Sequence, residues 1–150
     1  MSKTEKIKNF ITSYYAEFVQ QLDPKDIINI CSIQSHGLQQ NSWINDTEAI
    51  ASIEKAMKLV PGLPIEITVY RAGKMKIQDR PYLSATFSKS IAINRFSNTL
   101  GTNIHKIVLK KGSKIIPLCI LNTDGLDPED ELIIAQSKLQ YHLTHYNYVK

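Results

Sequence analysis

The spacing of apolar residues changes at Pro61-Gly62. Before it, apolar side chains recur every three or four residues; after it, they alternate with polar ones. The first period suits a helix and the second a strand. A chain with this break puts its helices first and its strands second, which is an α+β pattern.

The helical part reads in three pieces. Ile7, Phe10, Ile11, Tyr14, Phe18 and Leu22 form the first stripe. Asp23-Pro24 then supplies a cap and a proline at the first helical position, opening a short helix through Ile27, Ile28 and Ile30. Residues 33–45 are polar and irregular. A third helix begins near Asp46 or Thr47, with Ile50, Ile53, Met57 and Val60 on one face, and Pro61-Gly62 ends it.

In LPIEITVYR, Ile65, Ile67 and Val69 alternate with Glu66, Thr68 and Tyr70. A basic loop runs from Gly73 to Pro81, and YLSATF is a second strand. Ser88 is placed to cap a short helix bearing Ile91 and Phe96, with Gly101 beyond its end. IHKIVLK and SKIIPLCI flank Lys110-Lys111-Gly112, which reads as a hairpin turn. ELIIA and YHLTHYNYV complete a set of short, mostly antiparallel strands.

A length of 150 residues suggests one domain, with a helical region over 1–60 and a mainly β core over 61–150. The net charge of +4 is too small for the dense basic stripe of a dedicated nucleic-acid binder. It is compatible with an anionic ligand. Cys31 and Cys119 stand far apart in apolar contexts and read as buried free thiols. His36, His105, His142 and His145 make no metal-ligand pattern. Trp43 and the tyrosine-rich tail read as core or surface aromatics rather than base-stacking platforms. The opening MSKTEKIKNFITSYY has no uninterrupted apolar run, so neither a signal peptide nor a membrane span is expected.

Chemistry concentrates in three places. Arg71, followed by Ala72 and Gly73, ends the first strand, where a guanidinium fork can meet phosphate and small neighbours let a ligand reach the backbone. Read alone, it fits a solvated arginine before a turn better, since exposed charge is the norm. Ser84 and Thr86 share one face of the second strand and can bond a sugar or orient another side chain, or simply line a polar face. Glu129 and Glu131 enter the apolar run LIIA; a strand beginning by 129 would put both on one face, about 6 to 7 Å apart, with Asp130 on the other. Two such carboxylates suit a site where charge develops, or an acidic guard at a strand end.

Taken in order, these places resemble one family. Residues 65–135 resemble the mono-ADP-ribosyltransferases with an Arg, Ser-Thr-Ser and Glu-x-Glu signature, the toxin-like branch. Tyr70-Arg71-Ala72-Gly73 stands where the family has a strand ending in Arg, YLSATFSKSIAINRF where it has Ser-Thr-Ser and a helix, VLKKGSKIIPL where it has a Lys-Gly turn, and Glu129-Asp130-Glu131 where it has Glu-x-Glu. Ala85 and Thr86 depart from Ser-Thr-Ser, Ala72 stands where glycine is common, and the loop NTDGLDP is short for gripping a protein substrate.

The resemblance implies helices followed by a split, mostly antiparallel β-sandwich, the ADP-ribosyltransferase fold. It implies NAD as substrate and no metal. Arg71 would anchor the NAD phosphates, the backbone near Ala72 and Gly73 would bond the nicotinamide amide, and Ser84, with Thr86 nearby, would orient Glu131. Glu131 would bond the ribose 2′-hydroxyl, and Glu129 would align the nucleophile. A glutamate at Glu129 goes in this family with arginine as acceptor, so the implied partner is a protein target, met by a monomeric enzyme inside a cell or delivered into a host. Rival expectations are an NAD glycohydrolase, a nucleic-acid-directed transferase using the Lys74-Met75-Lys76 loop, and a non-catalytic binding module.

Overall fold

A computed structural model of the protein describes residues 2–32, 47–72, 82–93, 103–121, 130–135 and 141–147. The first helices are α1 (Lys3–Tyr14), α2 (Ala16–Gln21), α3 (Pro24–Ser32) and α4 (Thr47–Leu59). Then come β1 (Ile67–Ala72), β2 (Tyr82–Thr86), α5 (Lys89–Ile91), β3 (Asn103–Leu109), β4 (Ile115–Pro117), α6 (Leu118–Leu121), β5 (Glu131–Ala135) and β6 (Tyr141–Asn147). The change of period at Pro61-Gly62 is thus a change of element type.

Local chemistry explains the helix starts. Ser2 and Glu5 form a reciprocal capping box at α1: Glu5 N–H donates to Ser2 Oγ at 3.1 Å and Ser2 N–H to Glu5 Oε2 at 3.2 Å. Asp23 caps α3 by accepting from Lys25 N–H at 2.9 Å. The first stripe differs from its reading. The helix breaks at Tyr15, and the buried residues are Ile11, Tyr15, Phe18 and Leu22. Phe10 and Tyr14 are 37% and 38% exposed, stacked on each other at 5.9 Å. Positions four, three and four apart stay on one narrow face, whereas 10 and 14 lie beside it. In α3, Ile30 is buried and Ile28 is 68% exposed, because the inward face carries Asp26 one turn before Ile30.

Asp26 is tolerated there because partners meet it. Ser52 Oγ donates to its Oδ1 at 2.8 Å, and Lys55 Nζ lies 2.9 Å from its Oδ2. These bonds tie α3 to α4. They hold the Asp26 carboxyl below its usual range, the Lys55 hydrogen bond first and that of Ser52 second.

The strands form one sheet in the order β4-β5-β2-β1-β3-β6, with every pair antiparallel. The sheet is split. Five or more residue pairs join β2 to β5, β1 to β3 and β3 to β6, but Tyr70↔Thr86 is the sole pair joining β1 to β2 among the described residues. Ladders therefore hold each half together, and the middle is held by something else. On β1 the inward residues are Ile67, Val69 and Arg71; Ile65, expected inside, is 49% exposed, because the strand starts only at Ile67.

Two further expectations change. Lys110-Lys111-Gly112 is a turn, with Gly112 at φ 92, but not a hairpin: β3 and β4 lie in opposite halves of the sheet. Leu63 takes the turn's backbone bonds, accepting from Gly112 N–H at 2.7 Å and donating to Ser113 O at 2.8 Å. The turn docks on the segment leaving α4 and carries the chain across. In SKIIPLCI only Ile115–Pro117 is strand, and Leu118 opens α6. Pro117 fits an edge strand, where no donor is required of it. Cys31 and Cys119 are not joined in a disulfide; both pack against the core and are only partly buried.

Candidate active site

At the split, Arg71 of β1 meets Ser84 of β2. Arg71 is the last inward position of β1, 4% exposed. A buried guanidinium must be satisfied locally. Its Nη1 donates to the carbonyl oxygen of Ser84 at 2.9 Å and lies 3.0 Å from Ser84 Oγ as donor. An unbroken ladder would set Ser84 opposite residue 72, two positions beyond the Tyr70↔Thr86 pair. Arg71 instead fills that part of the seam with a side-chain donor.

On the other side of β2, the register is Ser84↔Ile133 and Thr86↔Glu131. Paired residues of an antiparallel ladder share a face. Thr86, rather than Ser84, is therefore directly across from Glu131, and Ser84 lies two residues along the same face. Ser84 and Thr86 are fully buried and Glu131 is 1% exposed. Thr86 Oγ1 also accepts from Ser88 N–H at 3.1 Å, and Ser88 Oγ caps α5 by accepting from Ile91 N–H at 3.2 Å. The hydroxyls at 84, 86 and 88 thus do three separate jobs: meeting Arg71, tightening the chain after β2, and starting a helix.

Strand β5 begins at Glu131, so the alternation expected from 129 onward does not apply. Asp130 precedes the strand with φ 49, in the left-handed region. Its carbonyl accepts from Phe87 N–H at 3.0 Å, and its Oδ1 lies 2.6 Å from Lys8 Nζ on α1. Glu129 and Gly73 lie outside the described residues, as do Trp43, His36, Phe96, Gly101 and the 74–76 loop.

On the Thr68 and Tyr70 face of β1, opposite the one that carries Arg71, is a pocket of about 190 Å³ lined by Lys3, Thr4, Ile7, Thr68, Tyr70, Phe87 and Lys89. Tyr70 is one strand from Thr86 and two from Glu131, so the pocket wall stands about 10 Å from the start of β5. Two lysines beside aromatic walls suit an anion that also carries a ring.

No protein-family model matches the chain, and no curated protein matches it. Among solved structures the chain is similar to Plx2a, an ADP-ribosyltransferase toxin from Paenibacillus larvae, with a TM-score of 0.67. The superposition covers 95% of this chain and 94% of that one at 13% sequence identity. The fold is that of an ADP-ribosyltransferase toxin.

On the ADP-ribosyltransferase fold of this chain, Arg71, Ser84, Thr86 and Glu131 form one buried group spanning β1, β2 and β5. Sequence reading missed several neighbours. His105 is buried and faces Arg71 in the β1–β3 register, and His145 follows it in the β3–β6 register. Only strand pairing reveals that row. Lys8 and Asp130 meet across 122 positions, which no local period encodes. Among the described residues no three of His, Cys, Asp and Glu gather as a metal-ligand set, and no helix is long and apolar enough to cross a membrane.

Proposed function

We propose that the protein is an NAD-dependent mono-ADP-ribosyltransferase that releases nicotinamide and transfers ADP-ribose to arginine in a protein target. The observation that carries this reading is the burial of Glu131 at the start of β5, directly paired with Thr86 and on the face of Ser84, with Arg71 bonded to Ser84 across the seam. The donor set fits NAD: a guanidinium for a diphosphate, hydroxyls for a ribose, and one rigid carboxylate.

In this mechanism Arg71 faces the diphosphate. Burial strengthens the field of Arg71, since little water screens it. The backbone at Ala72 and Gly73 bonds the nicotinamide amide. Ser84 and Thr86 limit the orientations open to Glu131. Glu131 accepts a hydrogen bond from the ribose 2′-hydroxyl. Its fixed charge stabilises the oxocarbenium character that grows as the glycosidic bond breaks and nicotinamide leaves. Glu129 takes the proton of the incoming guanidine.

The test is incubation with labelled NAD and a cell lysate, wild type beside Glu131→Gln. Labelled protein with the wild type alone is expected; equal labelling by both overturns the assignment. Free ADP-ribose without labelled protein would instead identify a glycohydrolase.

A further inference from the structure

The backbone just before Glu131 is in an unusual state. Asp130 has φ 49, the one positive φ of a non-glycine among the described residues. Asp and Asn visit this region more readily than other residues, yet it persists only where the surroundings hold it. Two contacts do so. Phe87 N–H donates to the Asp130 carbonyl at 3.0 Å, which ties the residue to the end of β2. Lys8 Nζ reaches Asp130 Oδ1 at 2.6 Å, which ties it to α1.

The geometry of this latch bears on the carboxylate next to it. Glu131 follows directly as the first residue of β5, paired with Thr86. Rotation of Asp130 out of the left-handed region would turn the peptide that joins it to Glu131. At 1% exposure Glu131 has no solvent-facing room in which to recover its aim. The Asp130 side chain is only 14% exposed, so its ion pair is screened less than a surface pair.

We propose that Lys8 is a positioning residue: through its ion pair with Asp130 it fixes the left-handed turn that aims the Glu131 carboxylate. The inference rests on the proposed role of Glu131. A simple staple between α1 and the sheet would affect melting alone. A positioning residue also affects turnover and the local opening of β5.

The experiment compares wild type with Lys8→Met, Lys8→Arg, Asp130→Asn and the Lys8→Met/Asp130→Asn double variant. Three quantities are read: nicotinamide release from NAD as kcat and KM, melting temperature, and amide exchange at Glu131 and Leu132. Lys8→Met and Asp130→Asn are each expected to lower kcat on the order of 10- to 100-fold, since small misplacements of a reacting group have effects of that size. KM should stay within about threefold. Lys8→Arg should restore most of kcat, and the double variant should be no worse than the poorer single one, as partners in one contact are not additive. Wild-type kcat and wild-type exchange in Lys8→Met would overturn the proposal, and so would additive losses in the double variant. If the wild type releases no nicotinamide, the NAD reading falls, and exchange decides the latch by itself. Faster exchange at Glu131 in Lys8→Met, reversed in Lys8→Arg, then supports it, and unchanged exchange sinks it. Should Lys8→Met fail to fold, Asp130→Asn, which keeps the residue's size and its tolerance of the left-handed region, carries the same comparisons.

Discussion

Arg71 Nη1 donates to both the carbonyl oxygen and the hydroxyl of Ser84, at 2.9 and 3.0 Å, across a seam where, among the described residues, one residue pair joins the two halves of the sheet. A side chain stands where backbone pairing would otherwise run. The consequence is that one residue serves both the architecture and the proposed site.

Arg71→Lys should therefore harm both. A lysine has no planar fork and leaves part of the Ser84 contact unmet. Each unsatisfied buried polar group costs about 1 to 3 kcal/mol. A chain of this length should melt roughly 3 to 10 °C lower by circular dichroism, and nicotinamide release should fall by about 100-fold.

Glu131→Gln keeps size and shape at a fully packed position, so folding should be retained. NAD binding measured by calorimetry should change only a few-fold, whereas kcat should drop on the order of 100-fold or more, because the lost charge acts on the transition state. A parallel loss of affinity and turnover would assign Glu131 to binding instead.

Glu129→Gln should separate the two half-reactions. Slow hydrolysis of NAD is expected to survive, and labelling of an arginine-containing peptide to disappear. Retained arginine labelling would remove Glu129 from the acceptor role.

The bonds from Lys55 and Ser52 hold Asp26 below its usual carboxyl range when folded. Its stabilising contribution is therefore fully present above the unfolded value of about 3.9 and is lost as pH falls through that value toward the folded one. Urea midpoints measured from pH 7 to 3 should show wild type losing its advantage over Asp26→Asn below about pH 4. A constant gap across that range would refute the assignment.

Gly62 lies against the Gly112 turn. A Cβ added at 62 would stand 2.8 Å from Gly112 O and 3.0 Å from its Cα. Both are backbone atoms, which give way poorly, so Gly62→Ala should destabilise by about 1 to 3 kcal/mol in a denaturant titration. Tyr14 gains nothing to offset this, since it already donates to Gly62 O at 3.0 Å.

The sequence by itself determined the kinds of elements and the candidate residues of the proposed site. The change of period at Pro61-Gly62, the Asp23 cap and the alternation through Ile67, Val69 and Arg71 are local, and local patterns are written in neighbouring residues. So is the order of Arg71, Ser84 and Glu131 along the chain. Strand partners are not local. Nothing in VLKKGSKIIPL tells whether β3 and β4 pair, and the docking of Leu63 on the turn sends them to opposite halves. Tyr15 replaces Tyr14 in the core because the neighbours that α1 meets, and not its period alone, select the buried stripe. The row of Arg71, His105 and His145, and the reach of Lys8 to Asp130, also exist only once the sheet is assembled. Tertiary structure decided these because pairing register and long-range charge depend on where distant segments meet, and packing over the whole fold sets that.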